Sequence, residues 1–204
     1  LYPPFKEFQD FATDGDDTNL EDLADGPDKD AMKAFIESAK RKFHAAVERS
    51  NFHVEIQPAL KDCQISIGAL LVREGTASNP LRFEAVPVSQ VIPEEGEDGV
   101  IRNVYRRFEV KARNIASRWP DAKLPTEVAD TVSARPDDEL TFVEATFQDG
   151  EEGYRYIVWL EQGRKRVVER RYRSSPWVVF RMDKAPGETM GRGPVMACLP
   201  DIQV

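Results

Sequence analysis

The spacing of apolar residues predicts two helices in the first third of the chain. After Pro27, apolar side chains recur every three or four positions at Met32, Phe35, Ile36, Ala39, Phe43, Ala46 and Val47. This spacing gives a helix one apolar face. Ser50-Asn51 interrupts the pattern, and a second helix is predicted over Phe52–Ile67, with Pro58 as a kink and Gly68 at its end.

The rest of the chain alternates short apolar runs with turn residues, which predicts strands. Strands are expected over residues 69–73, 82–86, 90–92, 100–110 and 140–147, then a hairpin over 154–173 about Gln162-Gly163 and a strand over 177–180. Short helices are expected over residues 112–119 and 125–132. The fold class is therefore α+β, an N-terminal helical pair packed on a mainly antiparallel sheet with short additional helices.

The charge of the chain is concentrated at its beginning. The net charge is −8, and residues 1–30 hold ten acids and two lysines, while the remaining 26 acids and 26 bases cancel. Residues 1–27 are interpreted as an acidic extended or loop segment pinned by apolar anchors such as Phe5, Phe8 and Phe11, followed by one α+β domain over residues 28–204. Net acidity argues against tight binding of a phosphate backbone by the whole chain.

Motifs for catalysis, metal binding and cofactors are not found in the sequence. It lacks the patterns of hydrolase elbows, zinc proteases and phosphate-binding loops. Two cysteines, Cys63 and Cys198, are predicted to be buried thiols, and two histidines are too few for a zinc site. No run of apolar residues has the length of a membrane span. We therefore expect no enzymatic activity, no metal and no cofactor.

Acidic pairs offer a hydrolase hypothesis, because glycoside hydrolysis uses two carboxylates. The pairs are Glu94-Glu95, Asp137-Asp138-Glu139 and Glu151-Glu152, and all lie in turns beside glycine or proline. Solvated turn acids explain them equally well, so the hydrolase hypothesis requires two acids converging in a pocket with raised pKa values.

A basic run on the second arm of the predicted hairpin is the one nucleic-acid signal. It consists of Arg164, Lys165, Arg166, Arg170, Arg171 and Arg173, with Tyr172 among them. Such residues can track phosphates or stack a base. They can also block pairing at a sheet edge or form ion pairs, and the alternation places their charge on both faces of the strand. A nucleic-acid-binding β module using Arg164–Arg173 is the alternative function.

The last thirty residues combine a strand, a glycine-rich turn and the start of a helix. Pro186-Gly187 predicts a tight turn, Gly191 and Gly193 predict close backbone packing, and Pro194 stands where a helix begins.

Four stretches, in order, resemble the portal family, the head-to-tail connectors of short-tailed bacteriophages. They are Leu1-Tyr-Pro-Pro4; Arg49-Ser-Asn-Phe52 with Gly68-Ala-Leu-Leu-Val72; Val104-Tyr-Arg-Arg-Phe108 with Ala112-Arg-Asn-Ile-Ala116 and Lys123-Leu-Pro125; and Pro176-Trp-Val-Val-Phe-Arg181 with Gly191-Arg-Gly-Pro194 and Leu199-Pro-Asp-Ile202. The chain departs from the pattern at Ile67-Gly68-Ala69, where the family has a more glycine-rich turn.

The resemblance implies a structural role. It implies a wing domain that ends as the stem begins, in a homo-oligomeric ring of about a dozen subunits in the full-length protein. Double-stranded DNA would pass through this ring, driven by a terminase, with capsid, scaffold and tail proteins as partners and no membrane. The expected location is the virion, after assembly in the host cytoplasm.

Overall fold

The computed structural model describes residues 27–150, 153–196 and 198 of the chain, so the acidic segment 1–26 and the Glu151-Glu152 pair lie outside the described residues. Helices come first and strands later. The helices are α1 (Pro27–Arg49), α2 (Phe52–Cys63), α3 (Ile115–Arg118) and α4 (Thr126–Ala134). The strands are β1 (Ile67–Glu74), β2 (Leu81–Ala85), β3 (Val91–Glu95), β4 (Ile101–Lys111), β5 (Glu139–Gln148), β6 (Tyr154–Leu160), β7 (Lys165–Tyr172) and β8 (Trp177–Arg181).

The chain divides into two compact units, one of residues 1–53 with 74–82 and one of residues 54–73 with 83–204. Within the first unit, α1 ends where Ser50 donates its hydroxyl to the carbonyl of Val47. The same hydroxyl accepts the backbone N–H of Phe52 and so caps the start of α2. The predicted break at Ser50-Asn51 is confirmed.

The strands form two sheets. One has the order β2-β1-β8, and the other has the order β3-β4-β5-β6-β7. The pairs β1–β8, β3–β4, β4–β5, β5–β6 and β6–β7 are all antiparallel. The first sheet joins strands that are distant in sequence, because Leu71 of β1 lies opposite Trp177 of β8.

Two apolar clusters are buried in the second unit. The five-stranded sheet packs against the short helices through Trp119, which is in ring contact with Phe108 and Phe142. The three-stranded sheet buries a second cluster of Ile67, Ala69, Leu71, Val86, Val91, Val104 and Trp177. Val91 and Val104 belong to strands of the larger sheet, so the two sheets share this second cluster.

The predicted α+β class and its antiparallel pairing are confirmed, and several details were wrong. Two sheets replace the single expected sheet. The second helix ends at Cys63, four residues before the predicted Ile67, because Ile67 already belongs to β1. Met32 and Phe35 of the predicted apolar helix face are exposed, while Val47 at the end of that face is buried.

Trp177 makes a buried contact, and we expect its loss to destabilise the unit of residues 54–73 with 83–204. Its indole N–H donates to the Thr146 hydroxyl of β5 at 2.9 Å, and both residues are buried. Trp177→Ala should lower the free energy of unfolding by about 3–5 kcal/mol, since it opens a cavity and removes the donor. Val178→Ala, at an exposed neighbour, should change it by less than about 1 kcal/mol. Denaturant unfolding of both variants checks this, and equal stabilities would contradict it.

Candidate functional site

Four members of the basic run predicted from the sequence lie on β7, at the outer edge of the five-stranded sheet, while Arg164 precedes this strand and Arg173 follows it. Three of its arginines pair with acids. Arg166 pairs with Glu169, Arg170 with Asp121, and Arg171 with Asp149 at 3.7 Å. Glu169 also accepts from Arg155 of β6, whose Nε lies 2.8 Å from its carboxylate.

The backbone of β7 also has features that block pairing with a further strand. The register shifts between Val158 and Trp159, so that Val167 bulges out of the ladder. The carbonyl of Val167 accepts the N–H of Lys123 at 3.0 Å. Lys165 lies opposite Leu160 at the start of the strand, beside Gly163 and Arg164, which take positive φ angles of 75° and 48°. These features make β7 a protected edge. Among the described residues, Arg164 and Arg173 of the run have no ion-pair partner.

The glycine-rich segment after β8 folds back onto the end of α2. Pro186-Gly187 forms the predicted turn, and Gly187 takes a φ of 81° in open space. Gly191 and Gly193 are buried with ordinary φ angles. A Cβ on Gly193 would lie 1.9 Å from the carbonyl oxygen of Gln64, and one on Gly191 would lie 2.5 Å from that of Ser66. These glycines are therefore required by close backbone approach rather than by a left-handed conformation.

Hydrogen bonds tie the same segment to residues 64–66. The N–H groups of Gly193 and Val195 donate to the carbonyls of Ile65 and Gln64, each at 3.1 Å, and the Ser66 hydroxyl donates to the carbonyl of Gly191 at 3.0 Å. These bonds attach the start of the helix at Pro194 to the connection between α2 and β1.

Pro194 opens that helix, as predicted, and residues 194–196 are helical. Cys198, however, is exposed, so its predicted burial was wrong, while Cys63 is buried as predicted. The apolar face expected to bury Cys198 has no partner surface among the described residues, where Val195 and Met196 are exposed as well.

A buried ion network in the larger unit was missed by the sequence reasoning. Glu84 of β2 accepts from Arg106 of β4 at 2.8 Å and from Arg118 of α3 at 2.9 Å, and Arg73 of β1 lies 3.6 Å away. Arg106 is 6% exposed and also lies 3.7 Å from the fully buried Glu144 of β5. Four strands and a helix thus meet at two carboxylates and three guanidinium groups.

The pKa values of the two carboxylates in the network are shifted in opposite directions. Burial acts to raise the pKa of Glu84, but Arg118 and Arg106 outweigh it and lower that pKa from 4.5 to about 2. Burial raises the pKa of Glu144, offset only in part by the hydroxyl of Tyr156 and by Arg106. Through Arg106, Glu84 and Glu144 connect strands β2, β4 and β5.

The acidic pairs of the hydrolase hypothesis are engaged by neighbouring donors. Glu94 accepts from Asn103 and from the Tyr105 hydroxyl, each at 3.0 Å, which lowers its pKa. The pKa of Glu95 is likewise lowered, by hydrogen bonds from Lys184 and Arg181. The hydrolase hypothesis requires two acids with raised pKa values, whereas the pKa values of Glu94 and Glu95 are both lowered.

Asp137 and Asp138 pair with Arg113 and Arg135. Over the described ranges, no group of three or more potential metal ligands occurs. No described helix combines the length and apolar character that crossing a bilayer requires.

The described residues thus form an α+β module in which many charged side chains are engaged in ion pairs. Residues 1–204 match a family model described as bacteriophage head to tail connecting protein. The chain therefore belongs to this family of phage connectors, as the resemblance indicated, and such proteins are structural components of the virion that assemble with capsid and tail parts. No curated protein sequence matches the chain significantly.

A substitution at Gly193 tests whether the close backbone approach matters. Gly193→Ala places a Cβ 1.9 Å from the Gln64 carbonyl oxygen, and should lower the free energy of unfolding by about 1–3 kcal/mol because the backbone must shift. Pro194→Ala, at the exposed next position, should cost less than about 1 kcal/mol. Thermal unfolding that is unchanged in Gly193→Ala would show that the glycine is dispensable.

A second prediction concerns the pH dependence contributed by Glu84. Since its folded-state pKa of about 2 lies below the ordinary 4.5, its contribution is fully present above pH 4.5 and is lost as the pH falls to about 2. Glu84→Gln should therefore cost about 3 kcal/mol at neutral pH, and the difference from the wild type should shrink through this window. Glu109→Gln, at an exposed position of β4, is the control. A difference that stays constant with pH would contradict the assignment.

Proposed function

We propose that this chain is the wing part of a subunit of the portal ring through which double-stranded DNA is packaged and ejected. The observation that supports this most directly is the attachment of the helix that starts at Pro194. Gly191 and Gly193 allow the segment before this helix to lie against residues 64–66, where two backbone bonds and the Ser66 hydroxyl hold it. In the proposal this helix leads into the stem, and the wing is its anchor.

The electrostatics of the described residues support a mechanical role. The body of the chain, residues 31–204, carries no net charge, and the arginines of β7 are largely engaged with Glu169, Asp121 and Asp149. A protein that lets DNA slide past it must not hold the phosphate backbone tightly, because each neutralised phosphate adds affinity. Capsid and scaffold proteins, a terminase and tail proteins are the proposed partners, and assembly would occur in the host cytoplasm.

The ring is the part of this proposal that can be tested first. We expect the complete gene product to form a closed ring of about a dozen subunits, since repeated heterologous contacts close into cyclic rings. A polypeptide limited to residues 1–204 should be monomeric or weakly associated, because the wing alone should bury less than the roughly 1,200 Å² of a stable interface. Light scattering and electron microscopy of both proteins measure this. A complete product that stays monomeric at high concentration, with no ring in micrographs, would refute the portal function.

The same samples distinguish the alternative of a nucleic-acid-binding β module. Arg164 and Arg173 are the members of the basic run that remain for phosphate contact. If that function were correct, residues 1–204 would be retained on DNA in a salt-dependent way, and Arg164→Ala with Arg173→Ala would abolish the retention. We expect no such retention.

A further inference from the structure

The two sheets have four outer edges, and three of them are closed. The edge of β7 has the Val167 bulge and its bond to Lys123. The edge strand β3 contains Pro93 and a register shift at Glu94/Glu95, two features that block pairing with another strand. At the edge of β2, the N–H of Ala85 is taken by the Glu55 carboxylate of α2 at 2.7 Å.

The fourth edge, β8, is open. The N–H of Val72 donates to the carbonyl of Pro176, so these two residues form a hydrogen-bonded antiparallel pair. Hydrogen-bonded pairs recur at every second residue, so the backbone groups of Val178 and Phe180 point towards β1. The N–H and carbonyl groups of Val179, and the N–H of Arg181, therefore point away from the sheet. Among the described residues, none is bonded to these groups.

A groove of about 450 Å³, lined by both polar and apolar groups, lies along this open edge. Its walls are β8 and the turn into β4, including Val100, Ile101 and Val178. Val100 is 56% exposed and Val178 is 48% exposed. At one end, Arg181 donates to the carbonyl of Gly99 at 3.1 Å and fixes the separation of the two walls. The groove thus combines unpaired strand groups with exposed aliphatic side chains, the combination that receives an added strand.

We propose that β8 receives the segment Phe5–Phe11 of a second copy of this chain as an additional strand. Phe5 and Phe11 are separated by an even number of residues and so lie on one face of an extended segment, while Phe8 lies on the other. One face packs over Val100 and Ile101 in the groove, and the other lies beside Val178. The added backbone pairs with the free groups of Val179 and Arg181.

Three properties of the chain favour this occupant. The 26 residues that precede α1 can span up to roughly 85 Å when extended, enough to reach a neighbouring subunit. This segment carries three phenylalanines for the groove, and its net acidity suits the Arg173 side chain, which precedes β8. A strand given to the next subunit is also a heterologous contact, the kind that repeats around a ring. The inference therefore rests on the proposed ring.

Cysteine cross-linking between two different copies tests it. In the complete gene product, with Cys198→Ser as background and Cys63 buried, a Phe8→Cys protein is co-expressed with a differently tagged Val178→Cys protein and oxidised. We expect a disulfide-linked heterodimer in severalfold higher yield than with an Ile92→Cys partner, whose side chain is equally apolar, 64% exposed and on β3. Val179→Pro added to the Val178→Cys partner removes an outward donor, together with a side chain that packs against the Trp177 cluster, and should lower the yield severalfold. Phe5→Ser in the other partner should do the same without touching β8.

The remaining outcomes overturn the inference. Heterodimer no more abundant than with Ile92→Cys, in a product that electron microscopy shows as rings, would reject this occupant while leaving the ring intact. Preferential Val178→Cys homodimers would show that two β8 edges pair with each other instead. Absence of both rings and cross-links would reject the proposed function together with this inference.

Discussion

The bridge from Arg106 to Glu84 and Glu144 is the interaction on which the larger unit depends. Arg106 belongs to the five-stranded sheet and Glu84 to the three-stranded sheet, so their 2.8 Å bond fixes one sheet against the other. The guanidinium group also lies 4.2 Å from the centre of the Phe108 ring, in the apolar cluster below it. Buried pairs of this kind contribute little net stability, but losing one partner leaves an uncompensated charge. The network therefore favours one arrangement of the two sheets.

The arrangement of the strands also determines which strand edges are accessible at the surface of this unit. With β1 between β2 and β8, β8 becomes an edge strand, and Arg181 and Lys184 reach Glu95 across the groove. The same placement brings Gly191 and Gly193 onto residues 64–66. One sheet order thus produces both the attachment of the terminal helix and the open edge of β8.

The sequence predicted what depends on local pattern. The helix start at Pro27, the break at Ser50-Asn51, the hairpin about Gln162-Gly163 and the helix start at Pro194 follow from neighbouring residues and were confirmed. The end of α2 was misplaced because the carbonyls of Gln64 and Ile65 are taken by Val195 and Gly193, which are remote in sequence. The burial of Glu144 and the pairing of the β7 arginines depend on which strands become neighbours, and periodicity does not encode that.

We propose that this chain assembles through β8 while its other described sheet edges stay closed. Hydrogen exchange of the backbone amides, compared between the assembled complete product and its dissociated subunits, measures this most directly. Assembly should slow exchange at the outward N–H groups of Val179 and Arg181, and leave the edge residues of β3 and β7 unchanged. Rings in which these two amides exchange as fast as in free subunits would contradict the account.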